Sequence, residues 1–179
     1  MKYLKLFGSF LIFFVLTALI LSFFMATSQK VEKSIIINAP ASTVFEQLVK
    51  LENFNKWSLW NRQDSSVKHT ITGTDGTVGA ITSWSGAPEI SGEGKMEITS
   101  IEINKKVTHT ISFISPRENK AESAFILKET ETGTLVTWQF NLATPRPWNI
   151  FNLFYSMDKE MGKDFEDGFL LLKTLIEKK

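Results

Sequence analysis

The stretch from Pro147 to Glu177 most constrains what this chain can fold into. Its periodicity predicts one long amphipathic helix whose apolar side must be covered by another part of the molecule. On a helical wheel Ile150, Phe154, Met157, Met161, Phe165, Leu172 and Ile176 share one side, and Lys159, Lys163, Glu166, Lys173 and Glu177 the other. Two features are unusual for a helix that only fills a core. Met157 and Met161 lie in the apolar arc with Gly162 and Gly168 close by, and Asp158 falls inside the arc between Phe154 and Phe165. A carboxylate buried there needs an Arg, a Lys or a hydroxyl as partner, or stays protonated.

The cover is written in the residues before the helix. Val31 to Asn38 reads as a strand, broken by Pro40, and a short helix starts at Ala41 or Ser42, with Ser42 the better cap and Val44, Phe45, Leu48 and Val49 at helical spacing. A second helical or irregular piece runs from Asn53 to Trp60, with Phe54, Trp57, Leu59 and Trp60 crowded into it. Strands are then predicted at Val67 to Thr72, Val78 to Trp84, Gly92 to Ile103, Lys106 to Ile114, Ala121 to Thr130 and Thr134 to Leu142. Val107, His109, Ile111 and Phe113 share one face by alternation, as do Val136, Trp138, Phe140 and Leu142. Glycines at 73, 76, 79, 92 and 94 match no phosphate-binding fingerprint and read as hairpin turns and bends. The expected architecture is α+β: six or seven antiparallel strands with helices gathered on one face.

At the other end of the chain, Leu6 to Ala26 carries no charge and is dense in Leu, Ile and Phe, about the length a helix needs to cross a bilayer. The expected organisation is a tail at 1–5, a transmembrane anchor at 6–26, a tether at 27–30 and one ligand-binding domain at 31–179. Lys2 and Lys5 before the segment favour a cytoplasmic N-terminus with the domain on the outer side. The alternative is a signal peptide cleaved near Ala26, Thr27 and Ser28, giving a secreted protein. The chain has 179 residues, a net charge of +1 and no cysteine. Disulfides, thiolate catalysis and cysteine zinc sites are thereby excluded, and no basic stripe suits nucleic acid.

Several stretches then take on a common meaning. Residues 34–40 (Ser-Ile-Ile-Ile-Asn-Ala-Pro), Val44-Phe45, and Trp57 to Trp60 resemble the opening of the SRPBCC superfamily. Further matches are Val78-Gly79-Ala80 with Trp84-Ser85-Gly86, Gly92 to Met96 with Ile98, Gly133 to Trp138, and Gly162 to Phe165 with Gly168-Phe169 and Leu172-Lys173. The branch they are most similar to comprises the polyketide cyclase/dehydrase and lipid-transport-like proteins. The resemblance spans Val31 to the end. It implies a START-like helix-grip fold, in which a strongly curved sheet wraps the C-terminal helix around a hydrophobic cavity.

Fold does not choose function. The leading expectation is a membrane-anchored protein that holds a hydrophobic small molecule or lipid in that cavity. The ligand-binding candidates are Trp84, His109, Phe113, Trp138, Met157, Asp158, Met161 and Phe165, with Trp57 and Trp60 at the mouth. An alternative is a cyclase- or hydrolase-type enzyme using Asp158, His109 or Glu93 as acid/base, which requires at least two of them to converge in one pocket. A third is a protein-interaction module at the membrane. His69 and His109 lack metal-ligand spacing, so neither a metal nor another cofactor is expected.

Overall fold

The computed structural model describes residues 2–59 and 64–178. It divides into two compact units, one formed by residues up to 29 together with 143–156, the other by 30–142 together with residues from 157 onward. In the first, α1 (Lys2–Phe24) is a continuous apolar helix, as expected from a charge-free run of Leu, Ile and Phe. It is long and apolar enough to cross a membrane, a test that a signal sequence also passes. A 3-10 helix at Trp148–Leu153 belongs to the same unit.

The second unit carries the sheet. Strands β1 (Ser28–Ile37), β2 (Lys68–Thr72), β3 (Ile81–Ser85), β4 (Glu93–Glu102), β5 (Lys106–Ser115), β6 (Asn119–Thr130) and β7 (Gly133–Ala143) align in the order β1-β7-β6-β5-β4-β3-β2. From β2 to β7 every neighbour is an antiparallel hairpin partner. Short polar turns suffice for such connections, and this is why the alternating pattern in the sequence is so regular. The chain crosses from β1 to β2, the two edges of the sheet, through α2 (Ala41–Val49) and α3 (Leu51–Trp57). Asp75, in the turn between β2 and β3, accepts the backbone N–H of Leu51 at 2.8 Å and of Glu52 at 3.2 Å, so a carboxylate satisfies donors that the start of α3 leaves open.

Helix α4 (Met157–Glu177) lays Met157, Phe165, Phe169, Leu172 and Ile176 against the sheet. Trp138, central in β7, stacks on Phe165 with ring centroids 3.9 Å apart and planes 19° from parallel. Its indole N–H donates to Ser123 Oγ at 2.9 Å, which satisfies the single polar atom of a fully buried ring. Phe125, Phe54 and Trp57 complete the aromatic cluster, with Trp57 edge-on to Trp138 at 5.8 Å.

Three local expectations are corrected. The predicted helix from Pro147 to Glu177 is two elements, and its regular part begins only at Met157. Asn149 and Asn152 anchor the first of them, a 3-10 turn, to the end of α1 and the residues just after it (Asn149 Nδ2 to the Ser22 carbonyl at 2.7 Å, Asn152 Nδ2 to the Ala26 carbonyl at 3.3 Å), so the segment follows that contact and not the axis of α4. Phe154 is consequently 86% exposed instead of lying in the apolar arc. Helix α2 starts at Ala41 with Pro40 in the cap position and no side-chain cap bond, so Ser42 is inside the helix and caps nothing. The strand predicted at Val78 to Trp84 begins at Ile81, because residues up to Ala80 form the turn, with Gly79 at φ +87°.

Replacing Phe165 by Ala removes one half of the stack between helix and sheet and leaves a large cavity. The expected loss is about 3–5 kcal/mol in unfolding free energy, read from urea denaturation of the full chain in mild detergent.

Candidate functional site

Between the sheet and α4 lies a cavity of about 300 Å³. Its apolar wall comes from Phe54 on α3, Trp84 on β3, Met96 on β4, Ile111 and Phe113 on β5, and Met161 on α4. Polar groups are few: Asn55, His69, Thr82, Ser91 and Asp164. A mostly apolar hollow with a few convergent polar atoms is the usual composition of a small-molecule site, and the volume falls at the small end of the range of about 300–1,000 Å³.

The wall at Trp84 depends on a glycine. Gly94 pairs across one side with Trp84 and across the other with Phe113, and a β-bulge falls beside it. A Cβ at residue 94 would lie 2.3 Å from the Trp84 ring, so only glycine lets the indole lie flat across the strand. Trp84 and Phe113 then meet edge to face at 5.9 Å over that gap, and the Trp84 N–H donates to the Ser91 carbonyl at 3.0 Å.

Ser91 is itself held by Asp64, which is 4% exposed. This carboxylate accepts hydrogen bonds from the Ser66 backbone N–H at 2.8 Å, the Ser66 hydroxyl at 2.6 Å, the Ala87 N–H at 2.8 Å and the Ser91 hydroxyl. These four donors, the Ser66 hydroxyl first among them, hold its pKa well below the usual carboxylate range against the opposing effect of burial. Asp64 thus ties the segment after α3 to the 86–92 loop, whose Ile90 and Ser91 line the cavity.

His69 is the most informative polar group of the lining. It sits on β2 opposite Trp84. Both ring nitrogens are buried without a hydrogen-bond partner among the described residues, and burial pushes its pKa down. A neutral imidazole offers one donor and one acceptor, and His69, a residue of the lining, has both buried and unsatisfied among the described residues.

The sequence candidates separate into three groups. Trp84, Phe113 and Met161 line the cavity. Trp138, Met157, Phe165 and His109 lie in the closed core instead. His109 is edge-on to Phe125 at 5.8 Å and bonded to the Ser123 backbone, its pKa pushed down to about 4 chiefly by burial. Asp158 is half-exposed on the outer flank of α4, where Lys33 of β1 reaches it at 3.4 Å and Glu166 at 3.0 Å. Asp158 is therefore outside the apolar arc, and its pairing with Lys33 is a surface ion pair; Gly162 makes room for the lysine, since a Cβ at residue 162 would lie 2.8 Å from Lys33 Cε. Glu93 lies on the surface and accepts from the Ser85 hydroxyl at 3.2 Å. None of Asp158, His109 and Glu93 lines the cavity, so these three do not converge there. Trp57 is buried in the core and is not part of a mouth, while Trp60 lies outside the described residues. Among the described residues no three His, Asp or Glu side chains come together as metal ligands.

The curved antiparallel sheet gripping a C-terminal helix over an apolar cavity defines the helix-grip class of ligand-binding folds. Within it, the chain belongs to the polyketide cyclase / dehydrase and lipid transport family, whose model matches residues 28–177. Solved structures agree on the fold. A protein from Chromobacterium violaceum aligns with a TM-score of 0.59 at 10% identity, covering 83% of this chain and 97% of that one. Major latex-like protein 151 from Panax ginseng aligns at 0.59 and 12% identity, covering 84% and 99%. The di-domain ARO/CYC StfQ from the steffimycin biosynthetic pathway aligns at 0.62 and 7% identity, covering 85% of this chain and 51% of its own. No curated protein matches the chain.

Two predictions follow from the buried ionisable groups and the glycine. His69 and His109 have folded-state pKa values below the unfolded value of about 6.5, so their contribution to stability is complete above that pH and is lost as pH falls through the folded values. Asp64, also depressed, contributes fully above about pH 4 and loses its contribution on further acidification. Thermal melts over pH will show a first decline that His109→Gln reduces and a more acidic one that Asp64→Asn reduces. Gly94→Ala will displace the Trp84 ring at a cost of about 1–3 kcal/mol and alter near-ultraviolet circular dichroism.

Proposed function

We propose that this protein binds a small, predominantly hydrophobic molecule in the cavity between sheet and α4, and that α1 keeps it at a membrane. The observation that carries the reading is the lining itself: an aromatic and methionine wall with His69 as an unpartnered polar group. A volume at the small end of the ligand-pocket range suits a single ring system or one short acyl chain better than a two-chain phospholipid. A turn of the His69 ring would bring one nitrogen to a hydroxyl or carbonyl on that molecule and satisfy an atom that is otherwise buried without a bond. The family's lipid-transport members support the same class of ligand. Because Asp158, His109 and Glu93 lie apart, binding without transformation accounts for the site better than acid/base catalysis by that set.

For α1, an uncleaved anchor accounts for the contacts better than a removed signal peptide. Asn149 is fully buried, and its amide donates to the carbonyls of Ser22 and Met25, while Asn152 donates to that of Ala26. Cleavage near Ala26 would remove both acceptors of Asn149 and the helix end that shares a compact unit with the 143–156 segment, leaving that segment without its partner.

Native mass spectrometry of the membrane-extracted protein will show a bound apolar molecule, and Met161→Trp, which fills the cavity, will abolish it. Extraction of an empty chain under gentle conditions, or equal retention by Met161→Trp, would refute the binding reading. His69→Leu will weaken a ligand bearing a hydroxyl or carbonyl about three- to tenfold, the worth of one hydrogen bond. The intact mass of the mature protein will include residues before Ala26; a chain starting at residue 27 would exclude the anchor.

A further inference from the structure

Residues 143–156 expose Trp148, Phe151, Leu153, Phe154 and Tyr155, between 47% and 86% accessible, within eight positions. Exposed apolar side chains at that density mark an interaction surface and not ordinary surface scatter. The segment is nevertheless firmly held. Its polar side chains turn the opposite way: Arg146 donates to the carbonyls of Ser22 and Phe23 at 3.2 and 3.1 Å, Asn149 to those of Ser22 and Met25, and Asn152 to that of Ala26. The Thr144 N–H adds a bond to the Thr27 carbonyl at 2.8 Å. Those of Ser22 and Phe23 are carbonyls that the last turn of α1 leaves without intrahelical partners, and those of Met25, Ala26 and Thr27 follow directly after it. The segment is therefore a cap on α1, polar toward the helix end and apolar outward.

We propose that this cap is a second membrane contact, a collar that seats Trp148, Phe151, Phe154 and Tyr155 in the headgroup and upper acyl region of a bilayer around the emerging end of α1. The inference rests on the reading of α1 as a membrane helix. Three observations select lipid as the occupant. The exposed aromatics adjoin the end of a helix whose own surface is exposed Phe, Leu and Ile, so the two apolar surfaces belong to one unit. Trp and Tyr with Arg are the side chains that settle at membrane–water interfaces, where each keeps a polar tip wet and an apolar body buried. Residues 143–156 contain no acid to repel an anionic headgroup, and their single charge is the cation Arg146, whose guanidinium lies 5.2 Å from the Phe23 ring centre at the end of α1.

The absence of cysteine makes the test direct. Single cysteines at Phe151, Phe154, Phe14 and Glu131, each carrying a nitroxide, are placed in the full chain reconstituted into phosphatidylcholine vesicles with a minor fraction of phosphatidylglycerol. Collision with dissolved oxygen relative to a water-soluble nickel chelate then reports depth. Labels at 151 and 154 are expected to show a ratio severalfold above that at 131 and below that at 14. If 151 and 154 match 131 while 14 is deep, the collar is wrong and the anchor stands. Labels at 151 and 154 shielded from both quenchers would mean a protein covers the segment, which also overturns the proposal. An aqueous label at 14 would remove the anchor and the collar together.

Discussion

The domain depends on the contact between the middle of β7 and the middle of α4. Trp138 and Phe165 stack nearly parallel, and Phe54, Trp57, Phe125 and Phe169 pack around the pair. Large rings bury much apolar surface with few rotatable bonds, so a cluster of this kind fixes the distance between helix and sheet at a small entropic cost. That distance decides how much space remains toward β2–β5. The cavity is the part of the interlayer space that the cluster does not fill.

The wall of that space has a different logic. Trp84, Phe113 and Met161 are bulky, yet they stop short of filling it because Gly94 lets Trp84 lie flat and the 86–92 loop is tied back through Ser91. A single carboxylate, Asp64, gathers that loop and the segment before β2 with four donors. Ionised carboxylates accept stronger hydrogen bonds than neutral oxygens, so one side chain is sufficient to order two loops. The site is thus a rigid aromatic floor with a hydrogen-bonded rim.

Much of the fold was legible because sheet and helix periods are short-range properties. Alternation located six strands after β1, and the arc of Met157, Phe165, Leu172 and Ile176 identified the buried side of α4. The failures have one origin, which is that partners distant in sequence decide the outcome. The 148–153 stretch has helical apolar spacing, but Asn149 and Asn152 are committed to carbonyls more than 120 positions away. Burial of Trp138, Met157 and His109 was readable; whether a buried side chain faces a void or another side chain was not, since that depends on what packs opposite. His69 carried no signal because its neighbours on β2 are mostly polar, and Asp64 carried none because three of its four bonds come from residues that look like ordinary turn chemistry. Asp158 was misplaced by the wheel: it stands half-exposed beside Lys33 on the outer flank of α4, because the regular helix begins only at Met157.

The link between Asn149 and Ser22 spans 127 positions. During synthesis Ser22 of α1 leaves the ribosome 127 residues before Asn149, so at about 5–20 residues per second the helix end waits on the order of ten seconds for its partners. Over that interval its terminal carbonyls must be served by water or lipid headgroups. Translation of the sheet is thereby coupled to the final state of α1: its end is sealed only in a chain that has been translated past all seven strands.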